Sequence, residues 1–341
     1  MARTNYIISQ GSRILVTGAN GYIASHVCDI LLGLGYDVRG TVRSEKPWLD
    51  SYFEHKYGKG RFEAVVVPSL DSEDTWKAIV QGVSGIAHIA SDLSMNPDAK
   101  AVIPWVVNAT LNALQAASGQ PSVKRVVLTS SSAAAFISQP NVKGITVDAD
   151  TWNDAAVKAA WDDSLPDEER AYHIYSASKT LSEREAWGWV RKNHPSFGFN
   201  TIVPNTNYGR VLCPEISGST MTWTGVLLEG DDTVIRKFPP QWFVDVEDTA
   251  RLHVIALLDP TVESERIFAF AEKFNWNDIV RILKELRPDN RSIPDPPGNE
   301  GRDLSEIVLA PKAEKMIQTF FGRRGWVGLK ESLAAGIEGR W

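Results

Sequence analysis

The chain has 341 residues, 43% hydrophobic and 23% charged, enough to build one large domain or a main domain with a smaller lobe around a sizeable core. Its net charge of -6 argues against nucleic acid and acidic membrane surfaces as partners. No uncharged apolar run approaches the roughly 18 residues of a membrane span, and two cysteines are too few for a disulfide framework.

In chain order, "RILVTG" (13 to 18) is a short apolar run ending at glycine, which predicts a buried strand. Ile23, Val27, Ile30, Leu31 and Leu34 then form the apolar stripe of a helix over 22 to 34. Gly35 stands where a helix-terminating glycine belongs. "YDVRGTVR" (36 to 43) and "FEAVVV" predict strands, "SEDTWKAIVQG" a helix, and "GIAHIA" a strand. A helix over 100 to 118 and a strand "KRVVLTS" (124 to 130) follow. Strands that alternate with helices imply right-handed crossovers and a parallel sheet. The expected fold is therefore α/β, a doubly wound parallel sheet of the Rossmann type with a smaller C-terminal lobe.

Beyond residue 130 the rhythm loosens. Residues 139 to 172 read as a long loop with short helices, and a helix carries "HIYSASKTLSEREAW". "FNTIVPN" (199 to 205) predicts the sixth strand, and 206 to 243 is rich in Gly, Pro, Thr and aromatic residues. "VEDTARLHVIALL" predicts a helix, "RIFAFA" a strand, "NWNDIVRILKEL" a helix, and "RPDNRSIPDPPGNEGRD" a surface loop. The boundary between the dinucleotide domain (1–205) and the lobe (206–341) is expected near 205, with interleaved segments.

"TGANGYIA" (17 to 24) joins the first strand to the first helix. Gly18 permits a tight turn, Gly21 lets the backbone approach a pyrophosphate, and Ala24 lets helix and strand pack closely. A helix N-terminus adds free N–H groups and partial positive charge. This pattern predicts a dinucleotide site. An NAD site usually carries an acid at the tip of the second strand. Here "GTVRS" has none, and Arg43, helped by Lys46, suits a 2′-phosphate, so NADP(H) is the expected cofactor.

Serines 130 to 132 fall at the C-terminal end of the fifth strand, the edge where open α/β sheets bind ligands. Tyr175 and Lys179 lie four apart on a helix. A phenol with a pKa near about 10 is a slow acid at neutral pH. A neighbouring ammonium favours the phenolate, and a serine hydroxyl can hold a substrate oxygen beside it. Such a set reduces carbonyl groups.

Together these motifs resemble the extended short-chain dehydrogenase/reductases. "GYDVRGTVRS", "VKRVVLTSSS" and "PNTNYG" narrow the resemblance to the dihydroflavonol 4-reductase-like branch, and within it to fungal NADPH-dependent aldehyde and carbonyl reductases. The resemblance implies Tyr175 as acid–base, Lys179 as its activator and ribose ligand, and Ser131 as the substrate-orienting hydroxyl. It implies Gly18, Asn20, Gly21, Tyr22 and Ile23 around the pyrophosphate. It also implies Ile89, Ala90 and Ser91 beneath the cofactor and Pro204 against the nicotinamide. Asn108 sits where many such enzymes carry a relay asparagine. The family's adenine-binding acid is replaced by Ser69, followed by Leu70.

The segment 205 to 235 is expected to line the substrate pocket with Tyr208, Met221, Trp223, Val226 and Leu227, and Gln241 and Trp242 to close its far wall. Arg210 is its only basic residue, against Glu215, Glu229, Asp231 and Asp232. That charge balance fits a small neutral carbonyl compound better than a sugar nucleotide. A sugar-nucleotide epimerase or dehydratase and a non-catalytic dinucleotide-binding regulator are the alternatives. The first thirteen residues lack a signal peptide's apolar core, so a cytoplasmic location is expected. The six histidines show no metal-ligand spacing, and no metal is expected. Substrate identity and oligomeric state are not legible.

Overall fold

The alternation of apolar runs and amphipathic helices closes into one parallel sheet. The structure, a computed structural model, describes residues 5–339. The first half contains β1 (Arg13–Val16), α1 (Tyr22–Gly33), β2 (Asp37–Val42), α2 (Pro47–Tyr57), β3 (Phe62–Val66), α3 (Glu73–Ile79), β4 (Gly85–His88), α4 (Ala99–Ser118) and β5 (Arg125–Thr129). Then come β6 (Thr146–Val147), α5 (Asp154–Ala159), α6 (Asp167–Asn193), β7 (Gly198–Pro204), β8 (Thr206–Tyr208), α7 (Thr222–Leu228), α8 (Thr233–Lys237), β9 (Gln241–Asp245) and α9 (Val246–Leu258). The chain ends with β10 (Arg266–Ala269), β11 (Glu272–Phe274), α10 (Trp276–Leu286), β12 (Glu306–Ile307), α11 (Ala310–Phe321) and α12 (Leu329–Ile337).

Seven strands form the main sheet in the order β10-β7-β5-β4-β1-β2-β3. Every neighbouring pair is parallel. The order reverses between β1 and β4, and ligands of such sheets bind in the crevice outside that switch point. The glycine turn after β1, Arg43 after β2, Ile89 after β4, Ser131 after β5 and Pro204 on β7 all stand at this carboxyl edge. This is the fold expected from the sequence.

Helices cover both faces. Val27 and Leu31 of α1 pack with Leu252, Ile255 and Ala256 of α9 on one side. On the other, Ala109, Ala113 and Leu114 of α4 pack with Trp76 of α3 and Ala186 of α6. β8, β9 and β11 make a small second sheet. Around it Tyr208, Met221, Phe243, Phe274, Trp276, Ile279 and Leu333 form the core of the lobe. β10 comes from beyond residue 205 yet completes the main sheet, so the lobe and the dinucleotide domain share one chain path in alternation.

α1 ends as expected: Gly35 takes φ +93° and its N–H reaches the Leu32 carbonyl at 3.1 Å. The sequence leaves 206 to 243 without regular elements, whereas the structure forms β8, α7, α8 and β9 there. β8 has three residues and α8 five, too short for a periodicity to show. Gly40 of β2 marks the closest packing beside the cofactor turn. A Cβ there would lie 2.5 Å from the Ala19 Cβ and 2.8 Å from the Phe62 ring. Gly40→Ala is expected to destabilise the fold by roughly 1–3 kcal/mol through overpacking, read as a lower midpoint in chemical denaturation. An unchanged midpoint would show that the turn has room to move.

Candidate active site

The turn after β1 is anchored before it reaches any ligand. The Thr17 hydroxyl accepts the N–H groups of Ile89 (2.9 Å) and Ala90 (3.0 Å). Its own proton therefore goes to Nδ1 of buried His88, 2.9 Å away, which fixes a neutral imidazole protonated on Nε2. Burial first, and then the Lys179 charge, lower the His88 pKa to about 3. Gly18 adopts φ +69°, and a Cβ on it would stand 3.2 Å from the Ala90 Cβ. Its N–H donates to Thr41 Oγ1 (3.1 Å), and the next N–H, of Ala19, to the Thr41 carbonyl (2.9 Å). So β4, β1 and β2 hold the loop in one conformation.

Gly21 begins α1 with no side-chain cap, and the first turn carries no acidic residue. The partial positive charge of this helix start favours an anion. The Tyr22 side chain points into the lobe: its hydroxyl donates to the Gly209 carbonyl at 2.7 Å and its ring is buried in the lobe core. Asn20 and Ile23 are half-buried at the turn. Arg43 is exposed at the tip of β2 and, among the described residues, makes no ion pair. The Lys46 ammonium donates to Ser44 Oγ at 2.9 Å. Ile89 and Ala90 are half-buried, while the Ser91 hydroxyl is buried without a hydrogen-bond partner. A glycine cradle, an uncapped helix start, an unpaired arginine and an orphaned hydroxyl fit a dinucleotide carrying a 2′-phosphate.

Ser69 donates to Asp71 Oδ1 (2.5 Å) and accepts from Trp105 Nε1 (3.1 Å), and Leu70 is buried. Ser69 stands where the resemblance expects an adenine-binding acid. The nearby acid is Asp71, exposed and bonded back to Ser69.

The second group of residues forms where α6 crosses the end of β5. α6 runs for 27 residues, with Asp167, Glu168 and Glu169 in its first turn to complement its dipole. Lys179 is 5% exposed, and its ammonium donates to the Thr129 carbonyl at 3.1 Å. Burial draws its pKa down to about 8, against the opposing charge of Glu183. Tyr175, one turn earlier, is half-buried. Burial raises its pKa, and a hydrogen bond with the Ser131 side chain lowers it. Ser131 Oγ also accepts the Ala133 N–H at 3.2 Å. Asn153, in a loop without periodicity, braces this turn: its amide donates to the Ala133 carbonyl (2.8 Å) and its N–H to that of Ala134 (2.9 Å). The structure thus brings Ser131, Tyr175 and Lys179 together. Ser130 turns away and donates to Glu183 at 2.6 Å, and Ser132 is half-buried in the turn. Asn108 lies on the exposed face of α4. Pro204 is buried at the end of β7.

The expected pocket wall needs correction. Tyr208, Met221 and Leu227 are fully buried in the lobe core, with the Tyr208 ring 6.3 Å from that of Phe243 and 5.6 Å from that of Phe274. They support the lobe. The period-free segment gave no way to separate its inward from its outward faces. Trp223 and Val226 are half-buried, and the Trp223 ring stacks on Phe238 at 4.2 Å. Gln241 is half-buried, its amide on the Pro239 carbonyl at 3.3 Å. Trp242 donates to Ser305 at 3.1 Å. Among the described residues no group of three His, Cys, Asp or Glu is placed to hold a metal ion. None of their helices is long and apolar enough to cross a membrane.

Residues 14–269 match the model of the NAD dependent epimerase/dehydratase family. The chain belongs to that family. It is 47% identical over 339 residues to ketoreductase nvfG of Aspergillus novofumigatus, covering 99% of each chain. It is 38% identical over 333 residues to aldehyde reductase 2 of Sporidiobolus salmonicolor, covering 96% of each. In fold it is similar to the yeast methylglyoxal/isovaleraldehyde reductase Gre2 complexed with NADPH, with a TM-score of 0.78, 24% identity and coverage of 95% and 96%.

Lys179 offers a test of the site's electrostatics. A lysine whose pKa is depressed by folding favours the folded state only when neutral. Its contribution is fully present above the ordinary lysine range and is lost as the pH falls through about 8. Lys179→Met should therefore be more stable than the native chain at pH 7, by on the order of 2 kcal/mol. The gap should shrink as pH rises above 8. Denaturation midpoints of both proteins from pH 7 to 10 check this; a gap that widens with pH would contradict it.

Proposed function

We propose that this chain is an NADPH-dependent reductase of small neutral ketones or aldehydes. The observation that carries the reading is the buried Lys179 ammonium one helical turn from a phenol that is hydrogen-bonded to Ser131, at the carboxyl edge of the sheet. Ketoreductase and aldehyde reductase relatives matched over nearly their whole length support it.

NADPH, when bound, supplies the hydride to the carbonyl carbon. The protein supplies the rest. The glycine turn and the start of α1 bind the pyrophosphate, and Arg43 binds the 2′-phosphate. Ser131 donates a hydrogen bond to the carbonyl oxygen as negative charge develops there. Tyr175 gives that oxygen its phenolic proton. Lys179, fixed to the Thr129 carbonyl, stabilises the phenolate that remains.

A sugar-nucleotide substrate would need cations for its diphosphate. Three cations near the lobe are already paired: Arg210 with Glu338 (3.3 Å), Arg236 with Asp232 (2.5 Å) and Lys237 with Glu168 (2.7 Å), while Lys273 lies over the Trp242 ring. The half-buried Trp223, Val226 and Gln241 offer an apolar surface with one amide, which suits an uncharged carbonyl compound.

Tyr175→Phe should cut NADPH-linked reduction of a panel of neutral ketones and aldehydes at least about a hundredfold, while NADPH binding persists. Near-native turnover in a folded Tyr175→Phe protein would end the reading. Arg43→Ala should raise the Michaelis constant for NADPH far more than that for NADH, since only the former carries the 2′-phosphate. Equal effects on the two would show that Arg43 does not read it.

A further inference from the structure

One turn beyond Lys179, Glu183 is fully buried. Tyr175, Lys179 and Glu183 follow each other at four-residue intervals on one face of α6. The Glu183 carboxylate is held from several directions. Ser130 Oγ donates to Oε2 at 2.6 Å and Thr201 Oγ1 to Oε1 at 2.7 Å. Arg266 of β10 grips both oxygens, Nε to Oε1 at 2.9 Å and Nη2 to Oε2 at 3.1 Å. The guanidinium is fixed in turn, with Nη1 on the Thr151 carbonyl (2.6 Å) and its carbon 4.0 Å from the centre of the Trp152 ring. A carboxylate this deep holds its charge only through such a complete set of donors.

We propose that Glu183 is a positioning residue for the Ser131–Tyr175–Lys179 set, holding Ser130 at the end of β5 and supplying the fixed negative charge beside the buried lysine. The inference rests on the reductase reading. The geometry gives Glu183 two handles. Ser130 directly precedes Ser131, so the bond to Ser130 sets where β5 releases the substrate-orienting hydroxyl. The oxygens of Glu183 are occupied by Ser130, Thr201, Arg266 and, at 3.5 Å, the Trp187 indole N–H, so it acts on Lys179 through its field and leaves the ammonium to the Thr129 carbonyl. The charged and titratable groups that face Lys179 are Tyr175 and Glu183 on α6 and neutral His88 at the end of β4. Arg266 lies beyond Glu183, and neutral His253 of α9 bonds the Thr129 hydroxyl at 2.7 Å. Glu183 is the one negative charge in this group.

The test is the alkaline limb of the pH profile for NADPH-linked reduction of a neutral ketone, which reports the Tyr175–Lys179 pair as a unit. Glu183→Gln removes a negative charge and should move the limb down by roughly one pH unit. Arg266→Met leaves the carboxylate unopposed and should move it up. The double variant Glu183→Gln/Arg266→Met, which removes both charges and escapes the cost of one unpaired buried ion, should fall between native and Glu183→Gln. A structural role alone would lower the denaturation midpoint of each variant and leave the limb in place. If the single variants do not fold, the double variant decides: a limb displaced downward supports the proposal, and one at the native pH overturns it. Should the native chain reduce no carbonyl compound, the reductase reading fails first. A native enzyme whose limb ignores both charges defeats this proposal alone.

Discussion

The bond from the Lys179 ammonium to the Thr129 carbonyl joins the two halves of the site. Thr129 is the last residue of β5, so the sheet's carboxyl edge and the long helix α6 meet at this point. Burying an ammonium is costly, and the structure meets the cost with a carbonyl on one side and the Glu183 field on the other. Tyr175 and Ser131 follow from that junction. One lies a helical turn before Lys179, the other two residues after Thr129.

The same strand end ties the site to the lobe. The Thr129 hydroxyl bonds Nε2 of His253, whose Nδ1–H donates to the Thr249 carbonyl at 2.8 Å. The Thr249 hydroxyl reaches Asn207 Oδ1 at 2.6 Å, and the Asn207 carbonyl accepts from Thr220 at 2.5 Å. A row of buried, paired polar groups thus runs from the lysine through α9 to β8 and the turn before α7. Such networks specify one arrangement because each unmade bond is costly in a low dielectric. The lobe is set against the sheet by hydrogen bonds as well as by its apolar core.

Much of this was legible in the chain. The alternation up to residue 130 was readable because the central strands β1, β4 and β5 are apolar runs buried almost throughout, and α1 and α4 each turn an apolar stripe to the sheet. Gly18, Gly21 and Ala24 were readable since backbone approach and close packing demand small residues. Glu183, Asn153 and His253 were not read. A glutamate on a helix passes for a solvated charge, and only its four-residue spacing from Tyr175 and Lys179 hints otherwise. Asn153 and His253 act through contacts made across long stretches of sequence, which no local pattern records. Tyr208, Met221 and Leu227 were read as pocket wall because an aromatic, Gly-rich segment does not show which side chains turn inward.

The account's central claim is that hydride goes to a carbonyl carbon while the protein supplies the proton. The direct measurement uses NADPH deuterated at the transferring position of the nicotinamide and a neutral aryl ketone, with the product alcohol analysed by NMR. The account expects one deuterium on the carbinol carbon for each NADPH consumed. A product without deuterium, or a chain that leaves NADPH and ketone unchanged while converting a sugar nucleotide, would contradict it.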